Sequence, residues 1–232
     1  MKRIHSTFLA MALLTFSAPL WAGDVATFVN LGFSPDSGYY MFGQYGVDTQ
    51  TGTPYAETYV VDTRKNDFVR KGTARITYSV RPEPGQDSAA AFYALLADQG
   101  AAKLKEYKID PLRQGRIVYL LVNGDTPSDS LSFKDYKTEA QWEVTLRPAA
   151  VETNGEVTSS FGISVSITSK GGSVKRFEAG NPGIKRKGVR GYAIRRILVT
   201  PDEKTLVFIV EKRVTAKDGD SVRYMVETVR IP

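Results

Sequence analysis

Carboxylates are the side chains of this sequence with the clearest capacity for acid–base chemistry. The 232-residue chain has no Cys and one histidine, His5, so Asp and Glu are the common proton-exchanging groups that remain. Two carboxylates that face one cleft are the device by which many glycosidases cleave their substrates. The carboxylates that lie in or beside strand-like segments are Asp36, Glu57, Asp62 and Asp202. A hydrolase that uses paired carboxylates is therefore one function that the sequence allows.

The spacing of these carboxylates favours structural roles instead. Glu57 and Asp62 lie five positions apart in one predicted strand, so their side chains should point to opposite faces of a sheet. Asp36 and Asp202 each follow a proline, in a context where Asp bonds its own backbone and stabilises a turn. The predicted turn-forming residues are Pro35, Asp36, Pro201 and Asp202. We keep the hydrolase as the alternative and favour a protein that is not an enzyme.

Basic residues are concentrated in one segment, which is the strongest candidate for binding. Residues 170–196 contain nine basic residues and one acidic residue, whereas the rest of the chain after position 22 contains 20 basic and 24 acidic residues. One explanation of this positive charge is a hairpin loop exposed to solvent. A contact with an acidic protein, an acidic glycan or a lipid headgroup is the functional one. The candidate anion-binding residues are Lys175, Arg176, Lys185, Arg186, Lys187 and Arg190. No nucleic-acid partner is expected, because no nucleic-acid-binding motif accompanies the segment.

The first 22 residues have the pattern of a cleaved secretory signal peptide. Lys2 and Arg3 precede an uncharged stretch, Phe8–Pro19, and the small residue Ala22 ends the segment. The apolar stretch is shorter than the roughly 20 residues of a membrane-spanning helix. We therefore expect residues 23–232 to be exported, to the periplasm or out of the cell, with no transmembrane segment after the signal is removed.

Removal of the signal also removes His5. A Ser-His-Asp triad, a Cys-His pair and a His-ligated zinc site then lack a necessary residue. We predict no metal site and no cofactor. The signal, the missing His and Cys, and the localised basic loop together favour a binding or interaction module of the cell envelope.

The mature chain reads as one β-rich domain with a helical insertion. Short alternating segments separated by Gly, Pro, Asn and Asp are typical of strands and turns. Ala89, Phe92 and Leu95 fall at helical spacing, which predicts a helix over about 87–107. We expect a mainly β fold of antiparallel sheets, with a small helical part.

Two strand-turn-strand units have the same plan. The segments Leu31–Phe42 and Ile197–Phe208 each place Pro-Asp between two apolar strands, and a further strand follows about 20 residues later. Both units resemble the hairpins of TolB-type β-propeller blades. Since a propeller needs about four blades and a helical segment lies between the units, a sandwich or an incomplete propeller is expected.

A closer resemblance rests on longer motifs. They are Gly23–Ala26, Gly32–Asp36, Phe42–Val47, Pro54–Asp62, Leu198–Glu211 and Arg223–Glu227. These stretches resemble the secreted bacterial family called domain of unknown function 2259. The resemblance implies export and a β-rich domain, and it transfers no catalytic residues.

Overall fold

The computed structural model describes residues 23–83, 86–216 and 219–232. The predicted signal peptide, residues 1–22, lies outside the described residues. Strands make up 59% of the structure and helices 9%, so the mainly β prediction is confirmed. The first half contains β1 (Thr27–Phe33), β2 (Tyr39–Asp48), β3 (Thr53–Asp62), β4 (Asp67–Thr77), α1 (Ala89–Leu95), α2 (Ala101–Glu106), β5 (Arg116–Leu120) and β6 (Ser130–Asp135). The second half contains β7 (Ala140–Thr153), β8 (Glu156–Thr168), β9 (Val174–Ala179), β10 (Arg186–Lys187), β11 (Val189–Val199), β12 (Thr205–Ala216) and β13 (Gly219–Arg230).

The strands form three antiparallel sheets. The first has the order β1-β2-β3-β4, and the central one has the order β13-β12-β11-β5. The third has the order β10-β8-β7-β6, with β9 also paired to β8. This arrangement is consistent with a sandwich or an incomplete propeller, and the TolB-type resemblance stays a prediction.

The central sheet is buried on both faces because β12 begins with a continuous apolar run. Phe208 and Val210 pack in a core that the third sheet completes. Val207 and Ile209 point the other way and pack in a core shared with the first sheet. An uninterrupted apolar run, rather than an alternating one, is what burial on two faces requires.

The helical segment covers the opposite face of the first sheet. Phe92 and Leu95 of α1 are buried there against Met41 and Val60. A π-helical turn, Leu96–Gly100, joins α1 to α2. Gly100, a residue of low helix propensity, is the last residue of this wider turn.

The first Pro-Asp turn connects β1 to β2 through a local hydrogen-bond network. The Ser34 hydroxyl donates to Asp36 Oδ1 at 2.6 Å, and the Gly38 N–H donates to the same oxygen at 3.1 Å. The Ser37 N–H donates to the Ser34 carbonyl at 2.9 Å. Ser37 adopts a φ of 55°, which closes the turn after Pro35 and Asp36.

The second Pro-Asp turn connects β11 to β12 in the same way. The Thr200 hydroxyl donates to Asp202 Oδ1 at 2.7 Å, and the Lys204 N–H donates to that oxygen at 3.2 Å. The Glu203 N–H donates to the Thr200 carbonyl at 2.8 Å. Glu203 has a φ of 57° and occupies the position of Ser37 in the first turn. The two turns therefore have the same construction in different parts of the fold.

Candidate ligand-binding cavity

A cavity of about 320 Å³ lies along the outer edge of β13. It is bounded by the β3–β4 turn on one side and by the segment that leads into β10 on the other. Its polar walls come from Tyr59, Asn66, Asp67, Arg186, Lys212, Tyr224 and Glu227. Its apolar walls come from Val61, Phe68, Ile184, Met225 and Val226. This size and this mixture of walls are those of a site for a small ligand.

Arg186 and Glu227 form a buried ion pair in the wall of the cavity. The guanidinium lies 3.2 Å from the carboxylate, and the two side chains are only 18% and 6% exposed. The guanidinium also lies over the ring of Phe161, at 5.0 Å from its centroid. Burial raises the pKa of Glu227, although one hydrogen bond from Asn66, and the charge and hydrogen bond of Arg186, oppose the shift. The pair is held in place by partners on several elements.

Asn66 fixes the β3–β4 turn against β13. Its φ of 53° is a left-handed conformation that Asn adopts more readily than most residues. The side-chain amide donates to Glu227 Oε2 at 2.6 Å, and its oxygen accepts the backbone N–H of Thr228 at 2.6 Å. One side chain therefore shapes the cavity wall and caps the edge of the central sheet.

Lys212 supplies a cation that lacks a matching anion. Within the described residues, its ammonium group makes no ion pair and no hydrogen bond, whereas Arg186 is paired with Glu227 and Arg223 with Asp24. Burial lowers the pKa of Lys212; the nearby charge of Glu57 opposes the shift, and the two arginines reinforce it. An incompletely hydrated cation beside a cavity is costly unless an anion accompanies it.

Glu57 anchors the neighbouring wall without facing the cavity. It is buried and accepts hydrogen bonds from Gln44 Nε2 and from the Tyr59 hydroxyl, both at 2.7 Å. Arg75 forms an ion pair with it at 3.2 Å. The oxygen of the Gln44 amide accepts the backbone N–H of Tyr224 at 2.8 Å. This network connects the first sheet to the edge of β13, and burial together with Glu57 raises the pKa of Tyr59.

The structure separates the basic residues that the sequence groups together. Of the six predicted anion-binding residues, Arg186 lines the cavity. The contacts of four others lie elsewhere: Lys175 with the Pro232 carbonyl, Lys185 with Ser160, Lys187 with Glu156, and Arg190 with Thr215 and Asp220. Arg176 is exposed on β9. Acidic and hydroxyl partners thus accompany much of the positive charge that the segment carries.

The carboxylates proposed for a hydrolase are engaged in structural contacts. Asp36 and Asp202 accept hydrogen bonds within the two turns, and Asp62 accepts backbone N–H groups at the end of β3. Asp36 also shares a surface groove with Glu106. Hydrogen bonds from Ser34 and Arg64 lower the pKa of Asp36, and a hydrogen bond from Lys103 lowers that of Glu106. A general acid needs the opposite shift.

Arg186 is the cavity residue that the sequence identified as a binding candidate; Asn66, Lys212 and Glu227 are the missed residues with the largest roles in its polar wall. A signal was available for Glu227, because it interrupts the apolar strand Tyr224–Val229 and a charge in such a strand needs a partner. From the sequence alone, Asn66 is indistinguishable from an ordinary turn residue. Lys212 is half-buried and lies in the mixed stretch Glu211–Arg213, where the sequence alone gives no reason to expect partial burial.

One protein family matches most of the chain. A family model described as "Predicted secreted protein (DUF2259)" matches residues 41–230. No curated protein matches the chain. In the part of the chain that the structure describes, no helix has both the length and the apolar character to cross a membrane.

Proposed function

The chain belongs to the DUF2259 family of predicted secreted proteins, and we propose that it is an exported binding protein that takes up a small organic anion. The binding site is the cavity at the β13 edge. The family description is consistent with export, and the cavity supplies the chemistry of recognition. The ligand carries one anionic group, best supplied by a carboxylate, on a partly apolar body.

The charge of Lys212 is the observation that carries the proposal. Lys212 lines the cavity, its ammonium group has no anionic partner among the described residues, and burial lowers its pKa. A bound carboxylate would form the missing ion pair and accept charge-assisted hydrogen bonds from it. Ligand binding would then relieve a desolvation penalty that the free protein carries.

The remaining walls favour an organic acid over an inorganic anion. Phe68, Ile184 and Met225 offer apolar surface to the body of a ligand. Burial of that surface contributes about 25 cal/mol per Å². A cavity of about 320 Å³ is also larger than a single phosphate or sulfate requires, and it falls at the lower end of the size range for small-ligand sites.

The cavity is a better location for anion recognition than the outer surface of the basic segment. Lys187 is paired with Glu156 on that surface, and Arg190 lies near Asp220. Exposed pairs of this kind leave little net field to attract a partner at physiological salt. Arg186 is the residue by which the basic segment contributes to the cavity.

The proposal is tested by measuring how carboxylates bind to the mature chain. Calorimetric titration with hexanoate and 4-phenylbutyrate, and with their neutral amides, should give at least tenfold tighter binding of the acids. Lys212→Met should remove that preference, because it keeps the length of the side chain but not its charge. Lys134→Met changes an exposed lysine of β6 and is the matched control. Equal binding of acids and amides, or no effect of Lys212→Met, would contradict the proposal.

The pH dependence gives an independent readout. Lysine in solution has a pKa of about 10.4, and that of Lys212 is lowered. Lys212 therefore loses the charge that attracts the ligand at a lower pH than an exposed lysine does. Carboxylate affinity should fall between neutral pH and about pH 10 in the wild type. Binding that stays constant over this range would exclude Lys212 as the recognition group.

A further inference from the structure

Separate partners accept hydrogen bonds from individual backbone N–H groups along the outer edge of β13. An edge strand presents alternate backbone N–H and C=O groups to its surroundings. The N–H of Val222 donates to the Asp24 carbonyl at 2.7 Å, that of Tyr224 to Gln44 at 2.8 Å, and that of Thr228 to Asn66 at 2.6 Å. Each of these amides belongs to an even-numbered residue, so the outward-facing positions of β13 are known.

Val226 is the outward-facing position between these caps. The β12–β13 register has no bulge over the whole ladder, including the pair Ile209↔Val226. The N–H and C=O of Val226 therefore point away from β12, like those of Tyr224 and Thr228. Within the described residues, no side chain or backbone group outside the β12–β13 ladder bonds to them. Val226 also lines the cavity, so the two free backbone groups lie at its wall.

The caps on either side limit what can pair with this edge. Residues 224 and 228 are four positions apart, which corresponds to about 13 Å of extended chain. At one end Ala26 and Val222 form a backbone hydrogen bond at 3.1 Å, and at the other Asn66 holds Thr228. A full additional strand is therefore blocked, whereas a segment of two or three residues has the length of the gap.

We propose that the ligand of this cavity is a short peptide of two or three residues with a free carboxylate. The proposal rests on the binding function proposed above and specifies its ligand. The peptide lies extended along β13 and exchanges two backbone hydrogen bonds with Val226, as in other peptides that bind by strand addition. Its carboxylate lies at Lys212, and its side chains contact Phe68, Ile184 or Met225.

This assignment explains two features of the cavity with one occupant. A fatty acid would satisfy the charge of Lys212 but would leave the N–H and C=O of Val226 unbonded. A buried backbone group without a hydrogen-bond partner is unfavourable. A peptide acid satisfies the charge and both backbone groups, so it should bind more tightly than a plain acid of the same length.

Changes in the ligand test the inference, with Lys212→Met as the variant that reports on anion binding. N-acetyl-Leu-Ala is compared with the ester analogue in which an oxygen replaces the Ala N–H, and with decanoate, which keeps the carboxylate alone. The peptide should bind about tenfold more tightly than either. If all three bind equally and all lose affinity in Lys212→Met, the peptide assignment is wrong and the anion-binding function stands. If none depends on Lys212, the binding function itself is wrong.

A pair of variants tests the protein side. Val226→Pro removes the free N–H at an outward-facing edge position, where proline is tolerated in sheets. The preference for the peptide over decanoate should be lost in this variant. Val226→Ala keeps the N–H and should retain that preference. Retention in both variants would overturn the assignment, and the ester comparison decides the matter if Val226→Pro does not fold.

Discussion

β3 and β13 are the third strands of two units that begin with the same turn, and they have different edges. In the first unit, the first residue of β2 after the turn, Tyr39, pairs with Asp62 of β3. In the second unit, the first residue of β12, Thr205, pairs with Arg230 of β13. Thr58 lies four residues before Asp62, as Val226 lies four residues before Arg230. The two positions are therefore equivalent in the local plan.

Their surroundings differ because the first unit has a fourth strand. β4 pairs with β3, and Thr58 lies opposite Ala74 in that ladder. Within the described residues, no strand of comparable length pairs with the outer edge of β13; side chains and the segment Asp24–Ala26 cover it in places. In the described part of the chain, the cavity therefore lies where the second unit has no fourth strand, and buried polar groups substitute for part of that ladder.

The largest expected loss of stability comes from removing one member of the Arg186–Glu227 ion pair. Glu227→Ala removes the partner of Arg186 and leaves a guanidinium that is 18% exposed without its carboxylate. Loss of one member of a buried ion pair costs about 3–5 kcal/mol. We expect Glu227→Ala to lower the free energy of unfolding by about 4 kcal/mol, as measured by urea denaturation.

The matched control is an exposed pair from the same segment. Glu156 and Lys187 lie 3.2 Å apart, with side chains that are 59% and 77% exposed. Glu156→Ala should cost at most about 0.5 kcal/mol, since solvent screens such pairs. A similar loss in both variants would mean that the Glu227 pair does not replace a missing ladder.

Proline at the two equivalent positions gives the next largest effect. Thr58→Pro removes an N–H from a strand that is paired on both sides, and we expect a loss of about 3 kcal/mol in the free energy of unfolding. Val226→Pro removes an N–H that faces the cavity, so a loss of about 1 kcal/mol is expected. Thermal or urea unfolding measures both. Equal losses would show that Val226 is bonded in solution and that the two edges are alike.

Much of this comparison was predictable from sequence, because turns depend on local chemistry. Pro35-Asp36 and Pro201-Asp202 mark both units, and the apolar run of β12 indicates a buried strand. The helix predicted over about 87–107 lies at Ala89–Glu106 with a π-helical turn. These features are determined by neighbours within a few residues.

The cavity was not predictable because its residues meet through tertiary contacts. Asn66 and Glu227 are 161 positions apart in the chain, and Arg186 and Glu227 are 41 apart. The sequence grouped Arg186 with Lys185 and Lys187 by proximity, whereas strand geometry sends their side chains to different partners. Within the described residues, no full strand pairs with the outer edge of β13, and this follows from sheet topology, which local periodicity does not encode.

The smallest expected effect distinguishes the two turns. Asp36→Ala and Asp202→Ala each remove a turn acceptor, and each should cost about 1 kcal/mol. Asp36 also pairs with Arg64 at 2.8 Å, but both side chains are about 60% exposed, so the excess over Asp202→Ala should stay below about 0.5 kcal/mol. The pKa of Asp36 is lowered in the folded state. Its contribution is therefore present above the unfolded pKa of about 3.9 and is lost as the pH falls below that value. The stability difference between wild type and Asp36→Ala should shrink in urea titrations at pH 3. A difference as large at pH 3 as at neutral pH would mean that the carboxylate does not hold the turn, and the likeness of the two units would then rest on proline and backbone conformation alone.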